Sequence, residues 1–331
     1  MRRHLLLMAA TATAAVVSLA GCGSAGSSGT AAPPSSAAGA GCAPVAGDSL
    51  VVLTDDKNLQ NTDNVVPAIN KKSSSPQLIA ALDKVSAALD TTKLIALNKA
   101  VDIDRKSSKA AATEFVSTNN LTAGLQRGPG GPITVGAANF SESATLGEIY
   151  AQALTAAGYT VKVQTIGNRE LYEPALEKGQ INVVPEYAAT LATFLQGKID
   201  KNAKDPSSSD LTTTMTNLTA LGAKVGLVFG QASQAQDQNA FATTTAFADK
   251  YGLKTLSDLA AKCSGAATVL GGPAECPQRP KCQAGLVSVY QFTAGSFSTL
   301  DAGGPLTKTA LKTGKASVGL VFSSDGALAA G

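Results

Sequence analysis

From Ile133 to Thr190 the chain reads ITVGAANFSESATLGEIYAQALTAAGYTVKVQTIGNRELYEPALEKGQINVVPEYAAT. Ile133 to Ala137 is an apolar strand, and Asn139-Phe140-Ser141-Glu142-Ser143 turns it into a helix. Leu146, Ile149, Tyr150, Ala153 and Leu154 recur at helical spacing, and Gly158 ends the helix. Tyr159 to Ile166 alternates as a strand, and a second helix runs from Arg169 to Lys178 and stops at Gly179. Ile181 to Pro185 is a third strand with Tyr187 at its carboxyl end. Strand and helix in strict alternation predict a parallel α/β sheet, whose ligands collect beyond the carboxyl ends of the strands. Asn139 and Ser141 stand at such an end, where backbone N–H groups and a hydroxyl can hold an anionic group. Plain capping by Ser141 or Ser143 explains the same residues.

Upstream, MRRHLLLMAATATAAVVSLAGC has a basic start, a short apolar run and a small-residue end, which predicts a signal peptide over residues 1–21. Leu19-Ala20-Gly21-Cys22 resembles a bacterial lipobox, which implies a lipidated Cys22 and an anchor on the extracytoplasmic face of the cell membrane. Residues 22–47 are Gly, Ser, Ala and Pro with little apolar bulk, and read as a flexible tether. Four further cysteines remain in an exported chain, which points to two disulfides. Cys276 and Cys282 flank the loop ECPQRPKC and pair locally, leaving Cys42 with Cys263. A zinc site competes, against irregular spacing and no histidine beyond His4 in the leader. Without histidine the exported chain cannot run Ser-His-Asp or Cys-His chemistry. Lys and Arg number 27 against 24 Asp and Glu, and Arg2 and Arg3 belong to the leader. With so even a balance and no basic stripe, nucleic acid is not expected as a partner.

Between the tether and the central unit, Leu50 to Leu53 and Val65 to Ile69 are short strands, Pro67 placing the second at an edge or a crossing. Helices follow after Ser75-Pro76, after Thr91 and near Ser108. Two strands cannot make a sheet alone, so this segment needs a partner. Downstream, strands at Val225 to Phe229, around Phe241, at Thr268 to Leu270 and at Ala316 to Phe322 alternate with helices, and the last strand has nothing after it to cover it.

VGAANFSESATLGEIYAQAL and INVVPEYAAT closely resemble the OpuAC/ProX-type substrate-binding proteins of ABC importers for glycine betaine, choline and related osmoprotectants. Their usual text is VGSKNFTEQ, GELYAQ and DLYPEYTGT, and the likeness continues through FADKYGLKTLSDLA, LGGPAECPQRP and DAGGPLTKTALKTGKASVGLVFSSDG. The portion that closes those proteins stands here at the front, as LVVLTDDKNLQNTDNVVPAIN and VDIDRKSSKAAATEFV. The resemblance therefore implies a circularly permuted order, with residues 123–132 joining the old termini. It implies an α/β, type II periplasmic-binding-protein fold of two lobes joined by hinge strands. Lobe 1 would take residues 65–238, and lobe 2 residues 48–64 with 239–331.

The resemblance also implies the site. A quaternary ammonium offers no hydrogen bond to accept, so aromatic faces must hold it by cation–π contact. Tyr187 and Thr190 match the tyrosine and final threonine of PEYTGT. Phe241 matches the tyrosine of NNTYALA, and Phe322 the aromatic before the family's T-D-G. Arg279 matches the loop arginine that salt-bridges a betaine carboxylate. Asp63 stands where the family has a tyrosine, and would pair with a cationic ligand or sit in a solvent-facing turn. The function implied is a monomeric solute-binding lipoprotein, not an enzyme, with no cofactor and no metal. It would bind a small quaternary-ammonium solute and serve an ABC permease and ATPase. A solute-sensing receptor and a polyamine-binding protein are the alternatives. A secreted enzyme using Asp55-Asp56 or Glu142 and Glu186 has no nucleophile or metal constellation behind it.

Overall fold

A computed structural model describes residues 39–327. The leader and Cys22 lie outside the described residues. Among the described residues ten strands are formed: β1 Leu50–Leu53, β2 Val65–Asn70, β3 Pro132–Ala138, β4 Thr160–Gly167, β5 Val183–Tyr187, β6 Leu227–Phe229, β7 Asn239–Thr244, β8 Gly265–Gly272, β9 Ala294–Thr299 and β10 Val318–Phe322. They assemble into two five-stranded sheets of order β4-β3-β5-β2-β6 and β1-β7-β10-β8-β9. In the first, β3 pairs in parallel with β4 and β5, while β2 runs antiparallel to β5 and β6. The second mirrors this, with β8 parallel to β9 and β10, and β7 antiparallel to β10 and β1. Two such sheets in two helix-covered lobes form the type II periplasmic-binding-protein fold.

The segment after the tether is divided between the lobes. β1 borders the second sheet, and β2 enters the first between β5 and β6. Pro67 therefore lies within a sheet rather than at its edge. It faces Pro185 in the register, so the two positions without an N–H fall opposite each other, and pairing with β6 begins only at Ala68. All residues of β2 and β5 are buried, as the apolar runs of a strand covered on both faces must be. Helices Pro76–Ala88, Thr91–Asp102 and Ser108–Thr118 are capped by Ser75, Asp90 and Ser107, and pack with helix Ser141–Ala156. Leu78, Leu82, Leu94, Leu146 and Ile149 close that side of the first core.

The chain passes between the lobes twice, and the two passages pair. Asp237 N donates to Asp63 O (2.9 Å), Asn64 bridges Gln236, and Val65 N donates to Ala235 O (3.0 Å). This two-stranded crossing is the hinge.

From Gly39 onward the segment that composition reads as tether is docked on the second lobe. Ala266 N and Ala267 N donate to Gly39 O and Ala40 O, and Gly47 N donates to Lys312 O. Gly39 (φ +138°) and Gly41 (φ +71°) lie so close to this lobe that an added Cβ would meet Ser264 O or Gly265 O at 2.6 Å. These glycines serve close approach, not flexibility. Cys42 and Cys263 are disulfide-bonded across a sequence separation of 221, and Cys276 is bonded to Cys282. All four tether and loop cysteines are thereby used, which removes the zinc reading. Replacing Cys42 by Ser is expected to lower stability by about 2–4 kcal/mol, since the cross-link restricts the unfolded chain. A thermal melt checks it, and full reduction of the wild type, which breaks both disulfides, should lower stability further.

Candidate functional site

The sheet order places the carboxyl ends of β3 and β5 against the second lobe, and a ring-lined cavity opens there. Phe140 follows β3 and Tyr187 ends β5. Arg169 and Tyr172 come from helix Arg169–Glu177, and Thr190 and Phe194 from helix Ala188–Ile199. Asp63 and Asp237 come from the hinge, and Asn239, Arg279 and Phe322 from the second lobe. Three rings stand together: Phe140 lies 6.3 Å from Tyr187 (interplanar angle 30°) and 5.5 Å from Phe322 (35°). Tyr172 and Phe194 line the same space.

A buried polar network fixes the tyrosine. Its hydroxyl donates to Glu142 Oε1 (2.5 Å), and Glu142 Oε2 accepts from Asn98 Nδ2 (2.5 Å) and Ser324 Oγ (2.7 Å). Ser324 N donates in turn to Asp237 Oδ1 (3.0 Å). Asn98, Glu142 and Tyr187 belong to the first lobe and Ser324 to the second, so this network also ties the two lobes together. Burial pushes the Glu142 and Asp237 carboxyls up, and the Glu142 charge raises Asp237 further.

Asp63 is almost fully buried. Its Oδ1 accepts from Ala189 N (2.7 Å) and Thr190 N (3.2 Å), capping helix Ala188–Ile199. A solvent-facing turn is thus excluded for it. Burial lifts its carboxyl to about 6, with the nearby Arg169 charge and the two amides opposing. Arg169 itself holds Glu186 by two bonds (Nε–Oε1 2.9 Å, Nη2–Oε2 2.6 Å) and donates to Thr190 Oγ1 (2.9 Å).

Of the residues marked from sequence, Tyr187, Thr190, Phe322, Arg279, Asp63 and Asn139 line this cavity. Phe241 does not. It is 1% exposed in the second lobe's core beside Phe247 and Leu320, because it sits two residues deeper in β7 than Asn239, which does reach the cavity. Ser141 faces a neighbouring hollow with Asn98, Glu142 and Ser324, and caps nothing with its side chain. Arg279 is already engaged: Nε and Nη2 hold Glu170 of the opposite lobe (3.1 and 2.8 Å), and Nη2 lies 3.4 Å from Glu275. Phe140, Tyr172, Phe194, Arg169 and Asp237 were not foreseen. Phe140 had a signal, as the residue beside Asn139 at a strand end. Among the described residues, no group of three or more His, Cys, Asp or Glu is placed to hold a metal ion, and no helix is long and apolar enough to cross a membrane.

The family model described as the substrate binding domain of ABC-type glycine betaine transport system, OpuAC, matches residues 44–118 and 131–330. No curated protein matches the chain. Among solved structures, the unliganded open form of MppA, a periplasmic murein tripeptide binding protein, is similar over 56% of this chain at 11% identity, with a TM-score of 0.22. The match spans 44% of that protein's length.

Proposed function

Because the chain belongs to the OpuAC family of substrate-binding domains, we propose that it is the extracytoplasmic solute-binding lipoprotein of an ABC importer. Its solute is a quaternary-ammonium osmoprotectant of the glycine betaine or choline kind, and its transport partners are a permease and an ATPase. One observation carries this reading: Phe140, Tyr187 and Phe322 gather their rings in a cleft that also holds Asp63 and Asp237. Methylated ammonium groups cannot donate hydrogen bonds, and ring faces with a nearby negative charge answer that chemistry. Cys22 would carry the lipid. A circularly permuted segment order, with residues 123–132 joining the old termini, is part of the proposal, and the family match comes in two segments, 44–118 and 131–330.

Thermal-shift measurements on the mature chain with choline, glycine betaine, carnitine, proline betaine and polyamines test the reading. A ligand at 100 times its Kd should add about 2.7 kcal/mol of stability. No stabilisation by any quaternary ammonium would sink it.

The raised Asp63 carboxyl gives a pH prediction. Below about 6 it is neutral and attracts no cation; above, it is ionised. Choline affinity should therefore fall by up to about tenfold per pH unit as pH drops below that value. Stability of the free protein moves the opposite way. A carboxyl whose folded pKa is raised loses stabilisation as pH climbs from its ordinary value to about 6. Arg169 and Asp237 face the same group and set the depth of both effects. Titration calorimetry and melts from about pH 4 to 8, which span the window from the ordinary carboxyl value to about 6, read the two slopes.

A further inference from the structure

Every cation that lines the cavity already has a carboxylate, while two carboxylates there have no cation. Arg169 is held by Glu186, Arg279 by Glu170 and Glu275, and Lys281 Nζ by Asp205 Oδ2 at 2.6 Å and Leu59 O at 3.0 Å. Asp63 has only the Ala189 and Thr190 amides, and Asp237 the Ser324 amide; neither is joined in an ion pair among the described residues. The groups left free to answer a ligand are carboxyls, not cations.

Resting on the reading above, we infer that Glu170 is a specificity-determining residue: it fills the Arg279 fork with a carboxylate built into the protein, and the site selects a cation without a carboxylate, choline-like, over a zwitterionic betaine. The geometry is that of substitution. Glu170 offers both oxygens to Nε and Nη2 of Arg279, the edge on which a ligand carboxylate would dock. Glu170 stands on helix Arg169–Glu177 of the first lobe and Arg279 on the second, so the bond spans the cleft. Burial pushes the Glu170 carboxyl up and Arg279 more than reverses it, leaving Glu170 ionised.

A betaine must therefore displace Glu170 from a two-bond contact, or leave its own carboxylate beside Asp63 and Asp237, where like charges repel. A choline-like ligand meets neither obstacle. Its ammonium can lie on the Tyr187 and Phe322 rings, its charge favouring the ionised form of Asp237 against the burial that raises that carboxyl, and its hydroxyl needs no cation.

The experiment is titration calorimetry of the mature chain with choline and glycine betaine, in the wild type, Glu170→Gln and Asp237→Asn. Wild type should prefer choline by at least about tenfold. Glu170→Gln frees Arg279 and should shift the betaine-to-choline affinity ratio toward betaine by about tenfold or more, the scale of one charge-assisted contact. Asp237→Asn should weaken choline more than betaine. Hinge damage would lower both alike, and a melt identifies it. Equal or tighter binding of betaine by the wild type, or an unchanged ratio in Glu170→Gln, overturns the inference and leaves the family reading standing. If no quaternary ammonium binds at all, the proposed function falls, and this inference with it.

Discussion

Tyr187→Ala is expected to weaken binding of the preferred quaternary ammonium by at least about 30-fold, while the protein remains folded. A desolvated cation–π contact is worth about 2 kcal/mol or more, and each 1.4 kcal/mol is a factor of ten in affinity. Two further losses add to this. Phe140 loses the ring beside it at 6.3 Å, and Glu142 loses the hydroxyl that fixes it at 2.5 Å. Tyr187→Phe separates these terms. It keeps the ring and should bind within about threefold of the wild type. Its stability should fall by about 1.5–3 kcal/mol, the usual worth of a hydrogen bond to a charged group. Calorimetry with choline measures the first effect and urea unfolding the second. Wild-type affinity in Tyr187→Ala would remove this ring from the site.

The contrast between Tyr187 and Phe241 shows how far sequence could reach. Tyr187 was legible because the apolar run before it fixes a strand, and a parallel strand delivers its last residue to the cleft. Phe241 lies two residues too deep in β7, and nothing in QNAFATT marks where the strand leaves the core. Alternation tells which face a side chain takes but not how far along the strand the lobe ends. β9 escaped for a different reason. AGSFST has no apolar run, and it pairs as an edge strand supported by β8 rather than by its own burial. Glycines misled over Gly39 to Gly47, since flexibility and close packing call for the same residue. The division of the front segment between two sheets could be inferred only as a need for partners, because two strands cannot close a sheet. Which sheet each would join is a matter of long-range pairing. The same limit hid the rings. Phe140, Tyr172 and Phe194 come from three elements, and only the folded lobe brings them into one space.

Glu186→Ala is expected to cost about 3–5 kcal/mol of stability, the range for breaking one side of a buried ion pair. Arg169 and Glu186 are 8% and 1% exposed and share two bonds at 2.9 and 2.6 Å. Burial alone disfavours the Arg169 charge, and the Glu186 carboxylate outweighs it. Removing Glu186 leaves a buried guanidinium whose nearest remaining negative charge is Asp63. Two more donors are orphaned, the Tyr172 hydroxyl (2.8 Å) and the Tyr187 amide (3.0 Å). Replacing both charges, as in Arg169→Met with Glu186→Leu, should recover much of the loss, because no unpaired charge is then left inside. Urea unfolding of the two single variants and the double closes the cycle. The variant also bears on the ligand. An Arg169 released from Glu186 turns its charge toward Asp63, which lowers that carboxyl and cancels its pull on a cation. Choline affinity should therefore fall in Glu186→Ala, and its pH dependence below about 6 should flatten. A double variant as unstable as Glu186→Ala alone would show that the pair contributes shape rather than charge compensation. An unflattened pH profile would mean that Asp63 does not answer to Arg169.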